Sequence, residues 1–167
     1  MRTVFYSFHF KRDVARAARI RRIGDVEGNP QEPDSRWAVV QRGGDPAISA
    51  WIDEQMAGMS CLIVLIGAET ADRRWVEYEI RRSWALNKGI LGVYVHRLVD
   101  ADGLQSEKGI NPFADLVIDG ARISDVVPAY DPPVETSDEV FAYIATHMAD
   151  WVEHAIALAD RRRQLVN

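Results

Sequence analysis

The sequence predicts an α/β protein built on a parallel sheet covered by helices, and three observations carry that expectation. Short β-branched or aromatic runs alternate with longer amphipathic stretches along the whole chain. The run Cys61-Leu-Ile-Val-Leu-Ile66 is continuously apolar, as a central strand covered on both faces must be, and Ile90-Leu-Gly-Val-Tyr-Val95 reads as the next central strand. The length of 167 residues suits one domain with one core, taken here as residues 1–167.

Each element has a local reason. Thr3-Val-Phe-Tyr-Ser-Phe8 reads as a buried strand, and Asp13 to Ile23 as a helix with Val14, Ala17, Ala18 and Ile23 on its apolar side. Gly24 to Arg36 holds glycines, an asparagine, two prolines and several acids, so a long loop is expected there. Loops of that length tend to be functional. Trp37-Ala-Val-Val-Gln41 is expected to form a short strand. Asp45-Pro46 opens a helix, because aspartate can cap it and proline suits its first turn. Ile48, Trp51, Ile52, Gln55 and Met56 trace the face of that helix.

Beyond the central strand, Gly67-Ala-Glu-Thr70 turns the chain into a third helix, roughly Asp72 to Asn87. Val76, Ile80 and Trp84 (or Ser83) face the sheet, and Lys88-Gly89 ends the helix. Residues 96–133 show the least pattern. Leu116-Val-Ile118 and Ile123 to Val127 are candidates there for edge strands or a hairpin. A long C-terminal helix closes the chain. Thr136 and Glu139 form a capping box, and Val140, Ile144, Met148, Trp151, Ala155 and Leu158 recur at helical spacing. Arg161, Arg162 and Arg163 lie at its C-terminal end, where cations favour the helix dipole. The tryptophan–methionine stripe reads first as core packing, and second as an oligomer contact.

Composition narrows the function. Hydrophobic residues make up 47% and charged residues 27%, as in globular domains rather than disordered chains. A net charge of −5 argues against a nucleic-acid partner, which would need a clustered basic surface. The basic run Lys11, Arg12, Arg16, Arg19, Arg21 and Arg22 falls on one helix. It reads first as a solvated face, with a phosphate- or partner-binding patch as the alternative. A lone cysteine, Cys61, fits core filling in a reducing compartment. The chain enters a strand at once, without a signal peptide, and no apolar run reaches the ~20 residues that span a bilayer. A cytoplasmic protein without a membrane partner is expected.

An open parallel sheet binds ligands beyond the carboxyl ends of its strands. The residues to inspect are Ser7, Phe8, His9 and Phe10 after the first strand, and Glu69 onward after the central one. Several chemistries fall at this point. There is no glycine-bearing phosphate loop after strand one, no Walker or Gly-x-Gly-x-x-Gly pattern, and no aspartate ending the central strand. His9, His96, His147 and His154 show no zinc-ligand spacing, and no Gly-x-Ser-x-Gly elbow is present. The third helix remains. Trp75 and Glu79 lie one turn apart on one face, whereas Glu77 and Glu79 point about 200° apart. A carboxyl beside an indole at the ligand edge suits a catalytic acidic group. An exposed glutamate on an amphipathic helix is the plainer alternative.

Six segments carry a more specific signal: Val4-Phe-Tyr-Ser-Phe-His9, Asp34-Ser-Arg-Trp37, Asp45 to Ile52, Val64-Leu-Ile-Gly67, Thr70 to Ile80 with Ser83, and Lys108-Gly-Ile-Asn-Pro-Phe113. In this order they resemble the TIR-like proteins of bacterial Thoeris anti-phage defence. The resemblance covers roughly residues 1–115; residues 116–167 supply an edge segment and the C-terminal helix, similar only in being helical. It implies a five-stranded flavodoxin-like fold and an enzyme that consumes NAD as substrate, without a further cofactor. Glu79 matches the family's catalytic glutamate, while Ser7, Phe8, His9, Asp34, Trp37 and Trp75 are the expected substrate contacts. It further implies a nucleotide product that activates an effector protein, a phage-derived trigger, and self-association on activation. Two rival readings stay open: a TIR-like module acting through protein contacts alone, and a nucleoside hydrolase or deoxyribosyltransferase-like enzyme.

Overall fold

The computed structural model describes residues 1–30 and 34–167, and the side chains of all of these but residues 34 and 35. The chain runs β1 (Arg2–Ser7), α1 (Phe10–Ile20), β2 (Val26–Gly28), α2 (Asp34–Arg42), α3 (Gly44–Met56), β3 (Cys61–Ile66) and α4 (Arg74–Ala85). It continues through β4 (Gly89–Tyr94), β5 (Val117–Ile118), β6 (Ala121–Arg122), β7 (Ala129–Tyr130) and α5 (Ser137–Val166). Five strands form one sheet in the order β2-β1-β3-β4-β7, every neighbouring pair parallel. The strands β5 and β6 form a separate antiparallel hairpin. This is the expected open α/β sheet.

Alternation along β3 divides the core. Cys61, Ile63 and Leu65 face α1 and α5, where Ala17, Ile20, Ile144 and Val152 cover them. Leu62, Val64 and Ile66 face α3 and α4, against Ile52, Met56, Val76 and Ile80. All six β3 side chains are fully buried, as a continuously apolar strand requires. Burial leaves Cys61 as an inert thiol, its pKa pushed well above the usual range. Gly89 lets α5 approach the sheet closely, because a Cβ there would lie 2.9 Å from the Ile156 nitrogen and 3.0 Å from the Ala155 carbonyl carbon.

Four local readings are corrected. Trp37-Ala-Val-Val-Gln41 forms part of α2 rather than a strand, packing against α3 with Trp37 and Trp51 ring centroids 5.3 Å apart. The expected loop from Gly24 contains β2, which extends the sheet beyond β1; its residues 31–33 lie outside the described residues. Helix α1 begins at Phe10, not Asp13, because His9 caps it by accepting a hydrogen bond from the Arg12 N–H. Of the two candidate edge strands in 96–133, Val117–Ile118 enters the hairpin, while Ile123–Asp125 is a 3-10 turn and β7 takes the sheet edge.

The capping box holds. Thr136 accepts from the Glu139 N–H and Glu139 accepts from the Thr136 N–H, both at 3.2 Å. Thr136→Ala should cost about 1 kcal/mol, seen as a lower midpoint in urea unfolding with an unchanged m-value.

Candidate active site

Strand order reverses between β1 and β3: the chain leaves β1 toward β2 on one side and then crosses to β3 on the other. A cleft of about 450 Å³ opens beside that switch point, walled by the end of β1, the start of α4, and aromatic side chains of α2 and α3. Ser7, Phe8, Trp37, Trp75 and Glu79 all line it. Five of the sequence-derived site residues therefore meet in one cavity. His9 does not join them. It is buried, its Nδ1 serves the α1 cap, and its Nε2 lies 3.6 Å from Glu69. The side chain of Asp34 lies outside the described residues.

The exit from β3 aims α4 at the cleft. Gly67 donates its N–H to Thr70 Oγ1 at 2.8 Å, and the Thr70 hydroxyl donates to the Leu65 carbonyl at 3.3 Å. Gly67 must lack a side chain, since a Cβ would run into the Asp13 carboxylate. Asp53 of α3 accepts from Tyr78 Oη at 2.8 Å and from Arg82 Nε at 3.2 Å, which ties α3 to α4. Arg74 pairs with Asp45 and lies over the Trp75 ring, 4.7 Å from its centroid. The indole also meets Tyr78 in a T-shaped contact, with ring centroids 5.5 Å apart.

Glu79 is the chemically distinctive group. It is 9% exposed, and its Oε2 has no hydrogen-bond partner among the described residues. Burial disfavours the charged form and pushes its pKa up to about 8, against a weaker opposing pull from the nearby Ser7 hydroxyl. No hydrogen bond of ordinary geometry joins the two, and Ser7 Oγ is itself unpartnered. Glu77 contrasts with it: exposed, and paired with Arg81 at 2.9 Å in an i,i+4 bridge along the helix surface. The two carboxylates of α4 serve different environments, as their angular separation requires.

Unspent polar groups concentrate around this cavity. Among the described residues, ten buried side-chain N or O atoms lack a hydrogen-bond partner, and five of them belong to cleft residues: Tyr6, Ser7, Arg21, Trp51 and Glu79. Buried polar atoms are normally satisfied, so such a concentration marks a functional surface rather than a packing core. Tyr6, Asn29 and Trp51 were not site candidates from the sequence, and Arg21 entered only within the basic run whose second reading was a phosphate- or partner-binding patch. Trp51 read as the apolar face of a helix, and Arg21 as one of six basic residues. Among the described residues, no group of three or more His, Cys, Asp or Glu side chains converges as metal ligands would. No helix among them is long and apolar enough to cross a membrane.

The family model described as "Thoeris protein ThsB, TIR-like domain" matches residues 5–100, from β1 past β4. The chain belongs to the Thoeris ThsB TIR-like family. A Bacillus cereus (strain MSX-D12) protein, provisionally named cyclic ADP-D-ribose synthase ThsB1, is 31% identical to it over 116 residues. That alignment covers 66% of this chain and 60% of the relative, so the chain spans about three fifths of the relative's length. The ThsB TIR-like match contains the C-terminal half of β1, the Thr70 turn and all of α4. It stops before the Asn111-Pro112-Phe113 segment, where Asn111 Oδ1 accepts from the Phe113 N–H at 2.9 Å and Phe113 is fully buried. That segment does structural work.

Proposed function

We propose that the chain is a TIR enzyme that cleaves the nicotinamide–ribose bond of NAD and forms a cyclic ADP-ribose-type nucleotide. The observation that carries this reading is Glu79, a buried carboxyl with an unspent oxygen at the wall of an aromatic cleft. Membership of the ThsB TIR-like family supports it, and the name of the Bacillus cereus relative supports the product class.

Heterolysis of the C1′–N bond sends both bonding electrons to the pyridinium nitrogen, so nicotinamide leaves neutral and needs no proton. Positive charge builds instead on the ribose, where a fixed carboxylate stabilises it, as in glycoside hydrolysis. Burial keeps the Glu79 proton up to about pH 8; the pyridinium cation of NAD favours its release. Phe8, Trp37 and Trp75 offer ring faces to the planar bases and limit water near the cation. The acceptor then sets the product. A group on the same nucleotide closes a cyclic isomer, whereas water yields ADP-ribose, each with loss of one proton.

In the cell, residues 1–167 act as one cytoplasmic unit whose product reaches a separate effector protein. A phage component triggers the activity, and self-association of the chain accompanies it. The deciding experiment is incubation of purified protein with NAD, with products resolved by mass spectrometry. Nicotinamide together with a nucleotide of the mass of cyclic ADP-ribose is the expected result. No nicotinamide release, with or without infected-cell extract, would refute the reading.

A further inference from the structure

Among the described residues, Arg21 stands in the cleft wall without an acidic partner. It follows α1, as the residue that caps the helix C-terminus, and its side chain turns back toward β1. The guanidinium carbon lies 5.7 Å from the Tyr6 ring centroid and 5.4 Å from that of Phe8. Its Nε donates to the Asn29 carbonyl at 3.3 Å. Asn29 is itself fixed, its Oδ1 accepting from the Tyr6 N–H at 2.9 Å. These contacts hold the guanidinium by its ring-facing surface and one edge. Nη1 is buried and has no hydrogen-bond partner, and no carboxylate lies within ion-pair distance of Arg21 among the described residues.

An oriented, half-buried cation with an unspent N–H is costly unless something anionic meets it. Burial accordingly depresses the Arg21 pKa, although the group stays charged. Among the arginines of α1 itself, Arg12 meets Glu69, Arg16 meets Asp13 and Arg19 meets Asp138. Arg21 breaks that pattern, and it does so at the cleft. Its acidic neighbours on the wall, Asp72 and Glu79, make no ion pair with it. Arg73 also lines the cavity but is exposed at the rim.

We infer that Arg21 is the anion-binding residue of this cleft and takes a phosphate of the substrate's diphosphate through its free Nη edge. The inference rests on the nucleotide reading above and adds to it a second anchor beside Glu79. A planar fork suits phosphate oxygens, which accept two parallel N–H bonds. Contact with the Tyr6 and Phe8 rings and the bond to Asn29 position the fork before the ligand arrives, so little side-chain freedom is lost on binding. Glu79 and Arg21 would then grip different parts of one dinucleotide, the reacting ribose and the bridge next to it.

Calorimetry with ADP and with adenosine separates phosphate recognition from base stacking. Arg21→Met should weaken ADP at least about tenfold while adenosine changes less than about twofold. Arg21→Lys, which keeps the charge but loses the fork, should fall between wild type and Arg21→Met, and serves alone if the methionine variant does not fold. In NAD turnover, Arg21→Met should raise KM about tenfold with kcat within about twofold. Equal weakening of ADP and adenosine would assign Arg21 to packing and overturn the inference; so would unchanged ADP affinity together with unchanged KM. If wild type binds neither probe and does not turn over NAD, the nucleotide reading itself fails. If wild type does either and Arg21→Met matches it, only the role of Arg21 fails.

Discussion

Glu79→Gln is expected to lower NAD turnover by about 100- to 1,000-fold while leaving the fold intact. The amide has the shape of the acid and keeps a hydrogen-bonding oxygen, but it cannot carry the negative charge that faces the ribosyl cation. The side chain touches the cleft and has a free oxygen, so its loss acts on the reacting centre rather than on packing. Glu77→Gln should change turnover less than about twofold, since Glu77 is exposed and engaged with Arg81 outside the cleft. Comparable losses in the two variants would remove Glu79 from its role. A pH profile adds a second signature. Because burial holds Glu79 protonated up to about pH 8, wild-type kcat/KM should climb with pH toward a plateau near that value. Residual activity of Glu79→Gln should lack this climb.

The same substitution should stabilise the protein in a pH-dependent way. In the unfolded chain Glu79 ionises near 4.5, whereas in the fold it keeps its proton up to about 8. Between those values the folded state binds the extra proton, so rising pH favours unfolding, and the full penalty is present above about 8. Its size is on the order of 3–5 kcal/mol. Glutamine has no such proton to lose. Glu79→Gln should therefore melt at nearly the wild-type temperature at pH 4 and roughly 6–15 °C higher at pH 9. Melting curves at pH 4, 6.5 and 9 test this, and a gap that does not grow with pH would contradict it. Lost turnover with gained stability is the expected mark of a group kept for chemistry at the expense of the fold.

The sheet was legible because its central strand must be apolar on both faces, and Cys61–Ile66 has no other solution. Trp37 to Gln41 misled because Ala-Val-Val favours a strand locally, while packing on Trp51 of α3 decides the outcome. Local propensity yields to tertiary contact in such a segment. Glu79 was visible through its spacing from Trp75, since a helix converts four residues into one shared face. Arg21 was legible only within a basic run whose second reading was a phosphate- or partner-binding patch, not as a residue of this cleft. Its role depends on Asn29 and Tyr6 converging through the β2–β1 pairing, and no spacing rule encodes that meeting. His9 sits in the right segment, yet its ring is used by the helix that starts beside it.

The helix α5 has a consequence for how the chain is made. It covers one face of the central strands, and Gly89 of β4 lies against its backbone at Ala155 and Ile156. Residues 1–94 already contain four of the five sheet strands when synthesis reaches the end of β4. At about 5–20 residues per second, roughly 3–12 s pass before residue 155 follows. Throughout that interval Ile63, Leu65, Leu91 and Val93 lack α5 as their cover. The nascent chain therefore passes through a stage with a bare apolar sheet face, and that stage is the natural point for a chaperone to engage it.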